Sequence, residues 1–347
     1  MKRKLLLWGA AGAALLLLTV VASVSIGSAS SLSPAAAWRI LLAQLPGAAV
    51  EPDWRAAHEL IVLQVRLPRV ALAILVGAAL SVAGAGFQGV LRNPLAEPFT
   101  LGVASGASVG AALLMALGLQ FVLGAATVPL AAFCTSLATL AFVYLLSRVD
   151  GGMRRETLIL AGVVVSAFLS AIVSFLVSIS GDEVNQILFW LMGSLAMRGW
   201  PYAGLLAPYV LVCSAVLIGY ARTLNLFELG ERNAAHLGVH VERTRWIVLA
   251  VSTLLAAAAV SVAGVIGFVG LVVPHMIRLM LGPDYRLIMP LSAIGGAVFL
   301  VWSDTLARTA LAPGEIPLGV VTAFLGAPFF LYLLIRKRRT IGGEAES

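Results

Sequence analysis

The chain has 347 residues, of which 61% are hydrophobic and 11% are charged, and its mean hydropathy is +1.01. A soluble domain of this length could not cover its surface with so few charges, so the composition excludes one and indicates an integral membrane protein. The formal net charge of +7 reflects basic residues that cluster between apolar segments, and it therefore does not argue for nucleic-acid binding.

Uncharged segments predict the membrane spans. They are 5–29, 70–91, 99–147, 157–181, 199–221, 246–274, 287–303 and 316–335. A helix needs about 20 apolar residues to cross a bilayer, so 99–147 should hold two helices with a turn near Gly118–Thr127. Glycines and Pro274 interrupt the end of 246–274, where we expect a span followed by a short, broken helix reaching about Leu281. The sequence thus predicts an all-α integral membrane protein with about ten transmembrane helices in one polytopic domain, 1–347.

The positions of Lys and Arg predict the orientation of these spans. Positive charge concentrates at the N-terminus, in the insert 222–245 and in the basic tail 336–347, and the positive-inside rule places all three in the cytoplasm. An even number of spans then puts both termini in the cytoplasm. The loops near 182–198 and 310–315 are predicted to be extracytoplasmic. The two cysteines fall in apolar segments, where they should pack as small hydrophobic groups: Cys134 and Cys213.

The N-terminus imitates a secretory signal, with basic residues, an apolar stretch and the small residues Ser28–Ser31. Its apolar segment is longer than the roughly 7–15 residues of a signal core. We therefore interpret it as a retained first span.

The segment Gly84–Gly89 matches the G-x-G-x-x-G spelling of a dinucleotide-binding loop. That motif has physical meaning only where a strand leads into a helix, and here it lies at the inner end of a membrane span. Close packing of helices is the preferred interpretation. The same applies to three glycines spaced four residues apart: Gly102, Gly106 and Gly110.

Charged residues within the later spans are few. Asp304 and Arg308 lie four residues apart on one helical face, and His275 and Arg278 follow Pro274. Such groups could bind a coupling ion, or form a local ion pair and a hydrogen bond to backbone freed by the proline. The sequence contains no phosphate-binding G-x-x-x-x-G-K-[ST] loop, so the energy for active transport would come from an ion gradient or a partner protein.

A polar segment long enough for a short helix, 229–239, interrupts the apolar sequence. The membrane spans themselves do not require such a segment. It carries charged groups on a face that can contact water, and small residues that permit close contact. Both features are expected of a helix that a soluble partner protein binds and moves. On the opposite side of the membrane, Arg66, Arg69 and Arg308 run against the positive-inside rule and could present guanidinium groups to carboxylates of an incoming protein. The loop 92–98 contains two prolines and forms either a rigid turn or part of an inner pathway mouth.

Several motifs in a fixed order resemble one transporter family. They are Arg66-Leu67-Pro68-Arg69, Asn93-Pro94-Leu95-Ala96-Glu97-Pro98, Trp190-Leu191-Met192-Gly193-Ser194, Leu229-Gly230-Glu231, Gly264 to His275, and Pro317 to Thr322. From about the second span to the tail, the chain resembles the FecCD-type permeases of binding-protein-dependent ABC importers, which carry ferric siderophores, haem and cobalamin.

This resemblance implies a type II ABC importer permease fold, in a homodimer with its translocation pathway at the dimer axis. It further implies two cytoplasmic ABC ATPase subunits, an extracytoplasmic substrate-binding protein and a location in the bacterial cytoplasmic membrane. The chain itself would hold no cofactor, since ATP and Mg would bind the ATPase. The expected cargo is a metal chelate, a ferric siderophore first and cobalamin or haem next.

The resemblance also implies roles for particular residues. Arg66, Arg69 and Arg308 match positions that dock the binding protein, and Asn93 and Leu95 match the cytoplasmic gate. The ATPase-coupling positions are Leu229, Gly230, Glu231, Arg232, Ala234, Ala235, Leu237 and Gly238. No catalytic or metal-binding residue is expected. One departure is that Arg154, Arg155 and Glu156 stand where the family has small hydroxyl residues at the gate.

Two other functions remain open at this point. An ion-gradient-driven secondary transporter would use Asp304, Arg308 or His275 in ion coupling. An intramembrane enzyme would need a catalytic cluster at one membrane depth, and the sequence suggests none.

Overall fold

The computed structural model describes residues 2–27, 32–44, 51–149, 152–153 and 155–344, and this part of the chain is predominantly α-helical. Its first eight helices are α1 (Lys2–Ser25), α2 (Pro34–Ala43), α3 (Ala56–Leu60), α4 (Leu67–Leu91), α5 (Val103–Ala116), α6 (Thr127–Ser147), α7 (Arg155–Ile179) and α8 (Val184–Leu191). The other seven are α9 (Trp200–Gly219), α10 (Ala221–Glu228), α11 (Glu231–His236), α12 (Val241–Ala263), α13 (Val269–Leu281), α14 (Tyr285–Thr309) and α15 (Leu318–Glu344).

Short elements connect some of these helices. A π-helical turn, Ile61–Arg66, joins α3 to α4. Strands β1 (Arg148–Val149) and β2 (Gly152–Met153) pair as a minimal antiparallel hairpin between α6 and α7. The serines of the signal-like segment, Ser28–Ser31, and Arg154 lie outside the described residues.

Seven helical segments of the described chain are long and apolar enough to cross a membrane: Lys2–Ser25, Ala56–Leu91, Gly124–Ser147, Glu156–Ile179, Trp200–Gly219, Val241–Ala263 and Tyr285–Thr309. Shorter apolar helices add Pro34–Ala43, Val103–Ala116, Val269–Leu281 and Leu318–Leu333. Val103–Ala116 and Leu318–Leu333 fall where the sequence predicts spans, and Val269–Leu281 falls where it predicts the short, broken helix. A multi-pass helical membrane protein is thereby confirmed, while the total of ten crossings and the side of each terminus stay predictions.

Two predicted interruptions are confirmed. Helix α5 ends at Ala116 and α6 begins at Thr127, which is the turn expected within the long segment 99–147. Helix α12 ends at Ala263, and α13 starts again at Val269 and ends at Leu281. Both Gly264 and Phe268 have positive φ between these helices, at 74° and 68°, so the backbone reverses its path there.

Helix α4 forms the centre of the bundle. Every residue from Val76 to Leu91 is buried, by packing against α9, α12, α13 and α14. By contrast, α1 and α7 bury few of their residues, as expected of helices that face lipid or another protein. The dinucleotide-like segment Gly84–Gly89 lies inside α4, and a Cβ atom at Gly84 would overlap the backbone of Gly270 on α13, so the packing interpretation is confirmed.

Candidate functional site

One group of charged side chains lies where α4 begins and α14 ends. Arg69 donates from Nε to both carboxylate oxygens of Asp304, each at 3.0 Å. Its two terminal nitrogens donate to Glu315, at 2.9 and 3.0 Å. Asp304 is 1% exposed. The Arg69 guanidinium is therefore satisfied by carboxylates of its own chain.

Two further arginines complete this group, which we call the arginine cluster: Arg66, Arg69, Arg308, Asp304 and Glu315. Arg66 donates to the carbonyl of Val24 at 2.8 Å, and Arg308 donates to the carbonyl and hydroxyl of Ser23. All three arginines are buried. The three guanidinium groups thus find acceptors within their own chain, on α1, α14 and Glu315. Their role in docking is a separate question and stays a prediction.

The polar insert forms two short helices. Helix α11 has six residues and is connected to α10 by Leu229 and Gly230, whose φ is +102°. Glu231 pairs with Arg245, which is buried at the base of α12, and Ala234 is fully buried. One face of α11 therefore packs onto the bundle, and Glu231 anchors that face through its ion pair with Arg245.

The other face of α11 is open. Leu229 and Leu237 are 58% and 61% exposed on either side of the helix. The remaining exposed coupling positions lie beside them: Arg232, Ala235 and Gly238. These predicted coupling residues are thus all exposed within the short segment from Leu229 to Gly238.

A second polar cluster, not anticipated from the sequence, lies where α10, α13 and α14 meet. Asp284 precedes α14 and accepts from the backbone N–H of Arg286 at 3.0 Å. Hydrogen bonds from the Arg286 and Asn225 side chains lower the pKa of Asp284 to about 2. The polar pattern Asp284–Tyr285–Arg286 before an apolar helix was a helix-start signal, but its partners on α10 are distant in sequence.

The predicted gate residues occupy the loop after α4. Arg92 has a φ of 50° and ends the helix, and Asn93 accepts from the backbone N–H of Leu95 at 2.9 Å. Asn93 thereby fixes a tight turn, and Leu95 is 49% exposed at its tip. The structure supports the rigid turn, while the gating role itself stays a prediction.

Glu97 adds a titratable group to this loop. Burial raises the pKa of its carboxyl group to about 7. Its carbonyl accepts from the hydroxyl of Thr100 at 2.7 Å, which holds the loop against the start of the next helix. Burial therefore favours the protonated form of Glu97 over the charged form.

We expect the stability of the protein to depend on pH through Glu97. An acid whose pKa is higher in the folded state than in the unfolded state favours folding when protonated. This contribution is complete below about pH 4, the ordinary pKa of Glu, and it is lost as the pH rises through about 7. The thermal unfolding midpoint in detergent should thus fall between pH 5 and 8, and Glu97→Gln should reduce that fall. Equal pH profiles for both proteins would contradict the assignment.

The other candidate ion-coupling residues are engaged within the protein. The His275 ring lies 5.7 Å from the ring of Phe330, and Arg278 donates to the hydroxyl of Tyr285 at 2.6 Å. At the departure from the family pattern, Glu156 is exposed near the start of α7, and the side chain of Arg155 is not described.

Comparisons with known proteins agree with this architecture. Residues 15–336 match the model of the FecCD transport family. The chain is 45% identical over 336 residues to the uncharacterized ABC transporter permease protein YvrB of Bacillus subtilis, covering 96% of this chain and 94% of that protein. It is 48% identical over 277 residues to the cobalamin import system permease protein BtuC of Halobacterium salinarum, covering 80% and 73%.

A solved structure shows the same fold. It is described as an inward-facing conformation of a metal-chelate type ABC transporter and superimposes with a TM-score of 0.82 at 32% identity. The match covers 97% of this chain and 100% of that one. The chain therefore belongs to the FecCD transport family and is a multi-pass membrane permease of the ABC transporter type.

Proposed function

We propose that this chain is the membrane subunit of an ATP-driven importer that carries a metal chelate from an extracytoplasmic binding protein into the cytoplasm. Two copies would form the translocation pathway between them, and a cytoplasmic ATPase subunit would bind each copy. The importer would lie in the bacterial cytoplasmic membrane, with both termini and the polar insert on the cytoplasmic side.

The exposed surface of α11 is the observation that carries this proposal. Leu229 and Leu237 protrude from a polar insert, where lipid would not cover them. Large apolar side chains that are grouped on a water-facing surface are typical of a protein interface. The pair Glu231–Arg245 and the buried Ala234 fix the opposite face to α12, so a force on α11 would be passed to the bundle.

The arginine cluster lies at the other end of the bundle and fits the docking role of Arg66, Arg69 and Arg308. Its three arginines exceed its two carboxylates by one charge, so the cluster would attract an acidic partner. Glu315 is the exposed member, at 39% for its side chain. We infer that a carboxylate of the binding protein would approach Arg69 by displacing Glu315, which gives fast but modest binding at a solvated rim.

An apolar groove between the start of α13 and α15 fits a wall of the pathway. It has a volume of about 570 Å³, and Met192, Val265, Phe268, Val320 and Phe324 line it. A wall without charged groups can pass a bulky chelate without holding it, which leaves selection to the binding protein. A ferric siderophore is the first candidate, with cobalamin and haem next, and the relative from Halobacterium salinarum is named for cobalamin.

A secondary transporter is the less favoured function. Its candidate ion-binding carboxylate, Asp304, already accepts two hydrogen bonds from Arg69 and lies 3.7 Å from Arg308. A cation would have to compete with two guanidinium groups for that carboxylate.

Reconstitution tests the proposed function directly. The chain is co-expressed with a candidate ATPase and a candidate binding protein from the same genome, and the complex is placed in proteoliposomes. Uptake that requires ATP and persists after ionophores collapse the ion gradients is the expected result. Uptake by the chain alone, or uptake abolished by the ionophores, would overturn the proposal.

Replacing the two exposed leucines should separate the permease from its ATPase. Each buried leucine contributes about 1.5–3 kcal/mol, so Leu229→Ser with Leu237→Ser should weaken ATPase binding about 100-fold or more. Binding is measured by titrating the labelled ATPase onto the permease in nanodiscs. Leu119→Ser with Leu123→Ser is the control, since both leucines are exposed in the turn between α5 and α6, away from the insert. Unchanged ATPase affinity in the double variant would count against this interface.

A further inference from the structure

Asn225 joins the coupling insert to the start of α14. Its side-chain N–H donates to Oδ1 of Asp284 at 2.7 Å, and its carbonyl oxygen accepts from the backbone N–H of Tyr285 at 2.8 Å. Asp284 itself accepts from the backbone of Arg286. Asn225 of α10 therefore completes the hydrogen bonding of the first turn of α14, a helix to which it does not belong.

A second connection joins α10 to both α13 and α14. The Tyr285 hydroxyl accepts from Arg278 at 2.6 Å and lies 3.4 Å from Oε1 of Glu228. Arg278 is also 3.4 Å from that carboxylate oxygen, and its guanidinium lies over the Tyr285 ring at 5.1 Å. Glu228, the last residue of α10, thus contacts one residue from each of the two neighbouring helices.

The packing beneath these contacts also reaches α4. Leu224, Phe227 and Tyr285 are fully buried, and Gly89 of α4 fits against two of them. A Cβ atom at Gly89 would lie 3.0 Å from the Tyr285 ring and 3.1 Å from Leu224. Gly89 precedes the end of α4 by two residues, and the candidate gate loop with Leu95 follows directly.

Resting on the proposed function, we propose that Asn225, Glu228, Arg278, Asp284 and Tyr285 form a transmission junction. The junction passes displacement of α11 to α14 and to the gate loop after α4. Asn225 and Glu228 are positioning residues, since they act through other groups. Their contacts are side-chain hydrogen bonds beside the buried residues Leu224 and Phe227. We expect the loss of one such bond to loosen α10 while the apolar packing keeps the bundle folded.

The geometry explains why the junction is needed beside the link of α11 to α12. The Glu231–Arg245 pair links α11 to α12. The junction engages the first turn of α14, whose far end carries Asp304 and Arg308 of the arginine cluster. One continuous helix, with Pro290 inside it, therefore extends from the junction to the cluster, about 30 Å away for some 20 residues.

The ratio of ATP hydrolysed to cargo transported tests this proposal. Asn225→Ala and Tyr285→Phe are compared with the parent in proteoliposomes holding the permease–ATPase complex and its binding protein. Arg222→Ala is the matched control, because Arg222 is exposed on the same helix. We expect ATPase co-purification to be retained and transport per ATP to fall about tenfold in Asn225→Ala, and less in Tyr285→Phe, which keeps the ring.

A second readout follows the gate loop itself. In a background that lacks Cys134 and Cys213, Leu95→Cys is labelled with a thiol reagent at one pH with and without ATP. We expect ATP to change the labelling rate in the parent but not after Asn225→Ala. The junction alone is overturned if the complexes of both variants form and keep the parent's ratio of ATP hydrolysed to cargo transported, and if ATP still changes Leu95→Cys labelling after Asn225→Ala. A chain that recruits no ATPase overturns the proposed function together with the junction.

Discussion

Asp304→Ala should lower the free energy of unfolding by about 3–5 kcal/mol, because it leaves two buried guanidinium groups without their shared carboxylate. Asp304 is 1% exposed and accepts two hydrogen bonds from Arg69, and Arg308 lies 3.7 Å away. Glu315 would still pair with Arg69, but it is too exposed to replace the buried charge. The loss is measured by chemical or thermal unfolding of the purified protein in detergent.

Glu315→Gln is the control for Asp304→Ala. It removes a carboxylate from the same arginine, yet at a side chain that is 39% exposed, so its expected cost is at most about 1 kcal/mol. A double variant, Asp304→Leu with Arg69→Met, should recover part of the stability, because it removes the unpaired charge as well. An Asp304→Ala protein that unfolds like the parent would show that the pair contributes little.

The membrane helices could be predicted well from local sequence. A span must exclude charge over about 20 residues, so uncharged segments located α6, α7, α9 and α12 closely. The break between α12 and α13 was also predictable, because glycines at Gly264 and Gly267 interrupt an apolar run before Pro274. Such constraints operate within one helix and are therefore visible in one stretch of sequence.

Contacts between distant helices could not be predicted in the same way. The sequence alone suggests surface cations at Arg66, Arg69 and Arg308. Nothing in the adjacent residues shows that α14 places Asp304 beside Arg69. The junction of Asn225 with Asp284 was missed for the same reason: it joins α10 to α14 across the intervening helices. In the insert, the residue types predicted an exposed helix. They could not predict that Glu231 pairs with the buried Arg245.

Gly84→Ala should disrupt the bundle more than its single methyl group suggests. A Cβ atom at Gly84 would lie 1.9 Å from the carbonyl oxygen and 2.5 Å from the carbonyl carbon of Gly270. These are backbone atoms, so no side-chain rotation can relieve the overlap and α4 must move away from α13. One turn further along, Gln88 donates to the same carbonyl oxygen at 3.1 Å, and that hydrogen bond would lengthen too.

We expect Gly84→Ala to destabilise the protein by about 3 kcal/mol, at the upper end of the range for overpacked cores, and to reduce ATP-dependent transport in proportion to the folded fraction or more. Gly204→Ala on α9 is the matched control, since no atom would lie within 4 Å of its Cβ. Replacing an unhindered helical glycine by alanine favours the helix by about 0.5–1 kcal/mol, so the two substitutions should shift the unfolding midpoint in opposite directions. Shifts of the same sign would show that α4 and α13 are not packed as closely as the 1.9 Å distance from a Gly84 Cβ to the Gly270 carbonyl oxygen indicates.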